Sequence, residues 1–244
     1  MIEWIVIFLI IFCILVWHYS QSADKYNLAQ ITESQIPMQL TTLWEERNPV
    51  VISDIKPRNI WTAASIQKTR FWSAQPIWES YEKHPSETVV SQDRPQQLTW
   101  ADMLGITQLE TDILLRWFDL SAWLFSVRTE AHIGPEGLRE TYGWATALSC
   151  TGGEARCILL HSAQKARLPP GWKGLRWSEA TMEHHPLWTH VQFIEIVLRP
   201  NTVLLVPPHW ILAMEPMDPK QPIWWVRSDL HHAVSKLAQG VNEK

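Results

Sequence analysis

The first strong pattern in the chain is a stretch with no polar positions. Trp4 to Trp17 is uniformly apolar, and between Met1 and Tyr19 only Glu3 and His18 are polar. Nineteen helical residues rise about 28 Å, close to a hydrocarbon core of about 30 Å. Trp4 at one end, and Trp17 and Tyr19 at the other, stand where interfacial aromatic belts stand. A cleaved leader is the rival reading, but the start carries Glu3 and no Lys or Arg. A buried core helix is the third reading, but a helix apolar on all sides at the terminus has no obvious partner. The pattern therefore predicts an uncleaved transmembrane anchor over 1–20, with membrane as a partner. Lys25, the nearest cation, places the following domain on the cytoplasmic side.

Residues 21–35 are polar and read as a stalk, and 36–244 as one globular domain. Leu40–Arg47 predicts a short helix ended by Asn48-Pro49, and Val50-Val-Ile52 a buried strand. Residues 56–97 have no sustained period and read as short strands and loops, with Glu87–Val90 the clearest strand. Thr99 is a candidate N-cap for a helix to about Leu104, and Thr111–Leu124 a second helical stretch. Short β-like runs follow at Leu124–Val127, Thr146–Cys150, Arg156–Leu160, Gln192–Leu198, Thr202–Val206 and Trp224–Val226. Leu230–Gln239 reads as a closing helix, with His231 and His232 solvated on it. Short strands after a partly helical first half predict a mainly β fold with flanking helices, an α+β small barrel or double-sheet jelly roll.

Composition changes this picture little. The net charge is −4, and the scatter Arg167, Lys173, Arg176 is the nearest thing to a basic cluster. Nucleic acid is excluded as a partner, since that binding starts from phosphate neutralisation. Sixteen tryptophans against four tyrosines predict an aromatic-rich core. Three cysteines without metal-type spacing, and no Asn-x-Ser/Thr sequon, lean towards a reducing compartment. Neither Gly-x-Ser-x-Gly nor a glycine-rich phosphate loop occurs. His184, His185 and His190 form the densest histidine group, but their spacing matches no zinc pattern.

Three stretches resemble the cupin-like branch of the JmjC proteins, the asparaginyl and histidinyl hydroxylases built on a double-stranded β-helix. Ile36-Pro37 with Leu43–Ile52 resembles the family's opening helix and strand. Ile133–Gly137 with Gly153–Leu159 resembles the strand before the metal site and the hairpin after it. Leu198–Trp210 resembles the strand and turn before the last metal ligand. The resemblance implies Fe(II) held by His-x-Asp/Glu and a distal His, with 2-oxoglutarate as co-substrate. The aligned positions are Gly143 and Ala145 for the first pair and Leu212 for the distal ligand. Ala155 stands where a lysine binds the co-substrate, and His209 reads as a rim turn residue.

Four such losses in two segments predict a degenerate JmjC-like cupin: a pseudoenzyme more than an enzyme, with no catalytic, cofactor-binding or metal residues and no cofactor. The function expected is a membrane-anchored structural or protein-binding scaffold, in a virion or another membrane-bound assembly. The alternatives are an Fe(II)/2-oxoglutarate oxygenase with relocated ligands, a hydrolase, and a small-molecule-binding cupin with an apolar pocket between its sheets.

Overall fold

The structure is a computed structural model that describes residues 2–20, 27–56, 89–90, 100–103, 105–180 and 186–235. Helix α1 spans Ile2–Ser20, with Trp4, Phe8 and Trp17 largely exposed. The expected membrane anchor is corrected here: among the described residues no helix is long and apolar enough to cross a membrane. The strictly apolar part, Trp4–Trp17, rises only about 21 Å against a hydrocarbon core of about 30 Å. Glu3 and His18 bound it and add no apolar length. The single-pass topology, the membrane partner and the membrane or virion placement fall with it.

The rest is mainly β sheet with some helices. Strand β1 (Ala29–Thr32) lies inside the stretch expected as a stalk and pairs in parallel with β2 (Val50–Ser53). Between them runs α2 (Ile36–Glu45), four residues ahead of its expected start. Pro37 fits the first turn, where a missing N–H costs nothing, and Ile36, Leu40 and Trp44 form its buried face. Strand β3 (Val89–Val90) falls within the expected Glu87–Val90 run, and α3 (Trp100–Met103) within the expected helix there. The rest of 56–97 beyond Lys56, and Thr99, lie outside the described residues. Helix α4 (Ile106–Trp117) starts five residues before its expected position.

Eight strands then build the barrel: β4 (Phe125–Ile133), β5 (Glu136–Glu140), β6 (Ala145–Gly152), β7 (Ala155–Leu160), β8 (Ile194–Leu198), β9 (Val203–Val206), β10 (Ile211–Pro216) and β11 (Trp224–His232). The large sheet has the order β1-β2-β9-β6-β11-β4-β3 and the small sheet β5-β10-β7-β8. Successive strands alternate between the sheets except at β7–β8, and all eight pair antiparallel within them. This is the double-sheet winding of a jelly roll, a cupin-like β fold.

The closing helix begins later than expected: 233–235 are helical, while the first three residues of the expected helix are strand. Leu230, His231 and His232 belong to β11, and His231 is buried instead of solvated. Pairing with β4 carries the strand to His232, because β4 offers partners back to Phe125. The sequence positions 236–239 lie outside the described residues.

Strand alternation sorts the apolar residues into three layers. Ala145, Ala147, Leu205, Val203 and Leu230 face outward from the large sheet under α2 and α4. There Trp44, Phe118, Trp144 and Phe125 pack edge-on or tilted, with ring centroids 4.9–5.7 Å apart. Between the sheets lie Leu148, Leu159, Trp210, Leu212, Met214 and Trp225. Outside the small sheet, Leu168 and Trp172 cover Ile158, Leu160, Ile211 and Ala213. Trp44, Trp117, Trp172, Trp210, Trp224 and Trp225 are thus buried core residues, whereas Trp4, Trp17 and Trp123 are exposed.

The cover of the small sheet depends on Gly137. A Cβ there would collide with the backbone carbonyl of Gly174, which sits between the Leu138 N–H···Leu175 and Gly174 N–H···Leu138 bonds. Gly137→Ala is expected to cost about 1–3 kcal/mol, the range for overpacking that forces backbone shifts. The urea midpoint against wild type measures it.

Candidate functional site

The described residues group most of their buried charge in one place, between the sheets. Strands β4 and β11 pair as Arg128↔Asp229, Glu130↔Arg227 and His132↔Trp225, and β6 pairs with β11 as Thr146↔Asp229, Leu148↔Arg227 and Cys150↔Trp225. Leu148, Cys150 and Trp225 belong to the inter-sheet layer, so these three rungs project their alternate residues into the barrel. From the small sheet, Arg139 reaches across to the same cluster, and Glu136 joins it.

Glu130 is the hub. Arg128 Nη2 lies 3.2 Å from its Oε1, while Arg139 Nη1 (3.4 Å) and His132 Nε2 (3.5 Å) approach its Oε2. Arg139 Nη1 also reaches Glu136 Oε1 at 3.2 Å. Deeper in, Arg227 Nε donates to Asp229 Oδ2 at 2.8 Å, and Thr146 Oγ1 donates to the other oxygen. His132 is stacked on Trp225, with centroids 4.0 Å apart and planes 8° apart. Arg128 and Arg139 have half-exposed side chains, while Glu130, Arg227 and Asp229 are buried. The charged interior therefore opens to solvent at the end where β5 finishes and β10 begins.

Burial alone would hold Glu130 neutral. The His132 hydrogen bond and the charges of Arg139 and Arg227 overcome it and pull the carboxyl from 4.5 to about 2. Burial likewise opposes charge on Arg227, but Asp229, Glu136 and Glu130 outweigh it and raise its pKa. Because the Glu130 pKa is lower folded than unfolded, its stabilisation is full above pH 4.5 and lost as pH falls towards 2. The shift corresponds to about 3 kcal/mol. Acid unfolding in that window is expected to become shallower in Glu130→Gln, read from urea midpoints against pH.

The resemblance implies iron, so the donors can be tested for fit. Leu212 points between the sheets, opposite Arg139 on β5. Ala145 faces outward from the large sheet, and a Cβ on Gly143 would meet the Ala145 and Leu230 carbonyls. The three aligned positions are not brought together. The inward position after Arg139 is Thr141, whose hydroxyl donates to Pro207 O at 2.7 Å. Guanidinium groups surround the interior carboxylates, and among the described residues no three His, Cys, Asp or Glu side chains are grouped to hold a metal. These residues do not fit a facial triad, which needs two imidazoles and a carboxylate on one face of the ion.

The remaining candidates lie elsewhere. Ala155 is buried at the start of β7 in the inter-sheet layer. His209 is a buried turn residue with φ 68°, its N–H bonded to Thr141 O. His190 ends a short 3-10 turn, and His184 and His185 fall outside the described residues. Burial pushes Cys150 up to about 11 and raises Cys157 too, which disfavours the thiolate of both at neutral pH. The interior cluster did leave a trace in the chain: Arg-x-Glu-x-His at 128–132 and Trp-x-Arg-x-Asp at 225–229, both of period two. Stopping the predicted strands at Val127 and Val226 hid it.

No family model matches the chain, and no curated protein is significantly similar to it. Among solved structures, one from work on the Mn(II) centres of Bacillus subtilis oxalate decarboxylase is similar at 10% identity, with a TM-score of 0.27. The match covers 42% of this chain and 21% of that one. So partial a likeness carries no argument about this chain's chemistry, and the order of its own strands is what describes the fold.

Proposed function

We propose that this domain is a non-catalytic binding frame: a cupin-like barrel that works through its outer surface on a protein partner. The supporting observation is Arg139. It occupies the inward position opposite Leu212, and its guanidinium is held by Glu130 and Glu136. The mouth of the barrel is filled by the chain's own ion pairs. Such a cluster resists rearrangement, because removing one member strands a buried charge. A barrel locked this way keeps a rigid frame and surface loops for contacts. Trp123, 83% exposed in the turn before β4, is the kind of large amphipathic side chain that anchors protein contacts.

The test is to purify the full chain and measure bound metal, then the melting temperature with Fe(II) and 2-oxoglutarate. The expected result is no stoichiometric metal and no shift. Stoichiometric metal or a co-substrate shift overturns the reading.

One observation favours a second reading, a small-molecule-binding barrel. Arg227 Nη1 and Glu136 Oε2 are buried with no hydrogen-bond partner among the described residues. A small polar guest offering an acceptor and a donor would satisfy both. Native mass spectrometry of the purified chain would show it as a retained mass.

A further inference from the structure

The two ends of the small sheet are finished differently. At one end β5 is covered: the Leu138 N–H donates to Leu175 O and the Gly174 N–H donates to Leu138 O, both at 2.8 Å. At the other end lies β8. Its ladder joins Ile194–Leu198 to β7, and among the described residues no other strand or loop bonds to its backbone. An open edge of this kind presents N–H and C=O groups that template a further strand. The usual defences are missing: Ile194-Glu-Ile-Val-Leu198 holds no Pro or Lys, and its register with β7 has no bulge. Phe193, Glu195, Val197 and Arg199 are exposed along one face of this edge, while Ile196 and Leu198 are buried.

We propose that β8 pairs antiparallel with β8 of a second copy of this chain, about a two-fold axis through Val197, so that the two small sheets become one. The exposed row argues for a second copy. Centred on Val197, an antiparallel pair sets Val197 opposite itself and Glu195 opposite Arg199 of the other copy, twice over. An apolar centre is thus flanked on both sides by a carboxylate facing a guanidinium. An axis one residue earlier, through Ile196, would instead set Glu195 opposite Val197, so the charges select the register. Arg199 has the capacity: its side chain is 61% exposed, and only its Nε is bonded to Glu154, at 2.9 Å, among five guanidinium donors. A strand of a different protein would need this same order of charges. The inference goes beyond the frame reading, which concerns a different protein partner, and neither depends on the other.

The test uses the full chain carrying Cys13→Ser, since Cys13 is exposed while Cys150 and Cys157 are buried. Val197→Cys, mildly oxidised, is expected to give a disulfide-linked dimer, because facing positions of an antiparallel pair lie about 4.5–5.5 Å apart. Glu195→Cys is expected not to, because the two copies of that position lie four residues apart along the paired strands, roughly 14 Å. In the Val197→Cys background, Glu195→Arg is expected to lower cross-linking about tenfold, since two attractive pairs become repulsive, and adding Arg199→Glu to restore it. Association through the exposed apolar α1 would not reproduce this dependence on position and charge. No cross-link in a folded Val197→Cys variant, equal cross-linking at both positions, or no recovery in the double reversal overturns the proposal.

Discussion

Arg227→Met is expected to destabilise the domain by about 3–5 kcal/mol, the cost of breaking a buried ion pair from one side. Arg227 is 3% exposed, and its Nε and Nη2 both donate to Asp229. Its positive charge also helps hold Glu130 ionised. Methionine fills much of the same space, so the loss is mainly electrostatic: Asp229 remains buried, hydrogen-bonded by the Thr146 hydroxyl but without its guanidinium partner. Two carboxylates then face each other's field with Arg139 and Arg128 left to compensate at the rim. The double variant Arg227→Met/Asp229→Leu should recover part of the loss, since it removes the stranded charge together with its partner. Urea unfolding of the wild type, both singles and the double gives the coupling. Equal losses in the single and double variants would show that Asp229 is not what Arg227 neutralises.

Trp225→Ala is expected to cost about 3–5 kcal/mol through the cavity it leaves. The indole has no solvent exposure, stacks on His132, and its Nε1–H donates to Gly134 O at 3.0 Å. Losing that donor adds about 1–3 kcal/mol for a buried carbonyl left unpaired. Trp225→Phe separates the contributions, since it keeps most of the packing and removes only the donor. Thermal and urea midpoints of the two variants should differ clearly. A Phe variant as unstable as the Ala variant would show that the Gly134 bond matters more than the packed volume.

Some of this protein was legible in the chain alone. The apolar runs at 50–52, 146–150, 156–160 and 202–206 fall on β2, β6, β7 and β9, and the alternating stretch 192–198 contains β8, which starts at Ile194. Alternation marks a strand with one buried face, as in β8, and a short continuous apolar run marks one buried on both faces. Other elements carry no such mark. β5 (Glu136–Glu140) mixes Glu, Gly and Arg in an interior that accepts charge, and β10 follows the turn at His209-Trp210 without a polar alternation. Leu230–His232 reads as helix locally and is strand because β4 lies beside it.

By itself, then, the sequence determined the mainly β architecture and the aromatic-rich core. Only the tertiary structure decided that Ala145 faces outward from the large sheet while Leu212 points between the sheets. It also decided that Arg139 meets Leu212, and that Arg128, Glu130, Arg227 and Asp229 share one face across two strands 99 residues apart along the chain, by the separation of Thr129 and Ser228. The physical reason is that periodicity reports which face of its own strand a side chain takes, whereas the register between strands sets which side chains meet. The initial apolar run is plain in the chain, yet among the described residues no helix is long and apolar enough to cross a membrane.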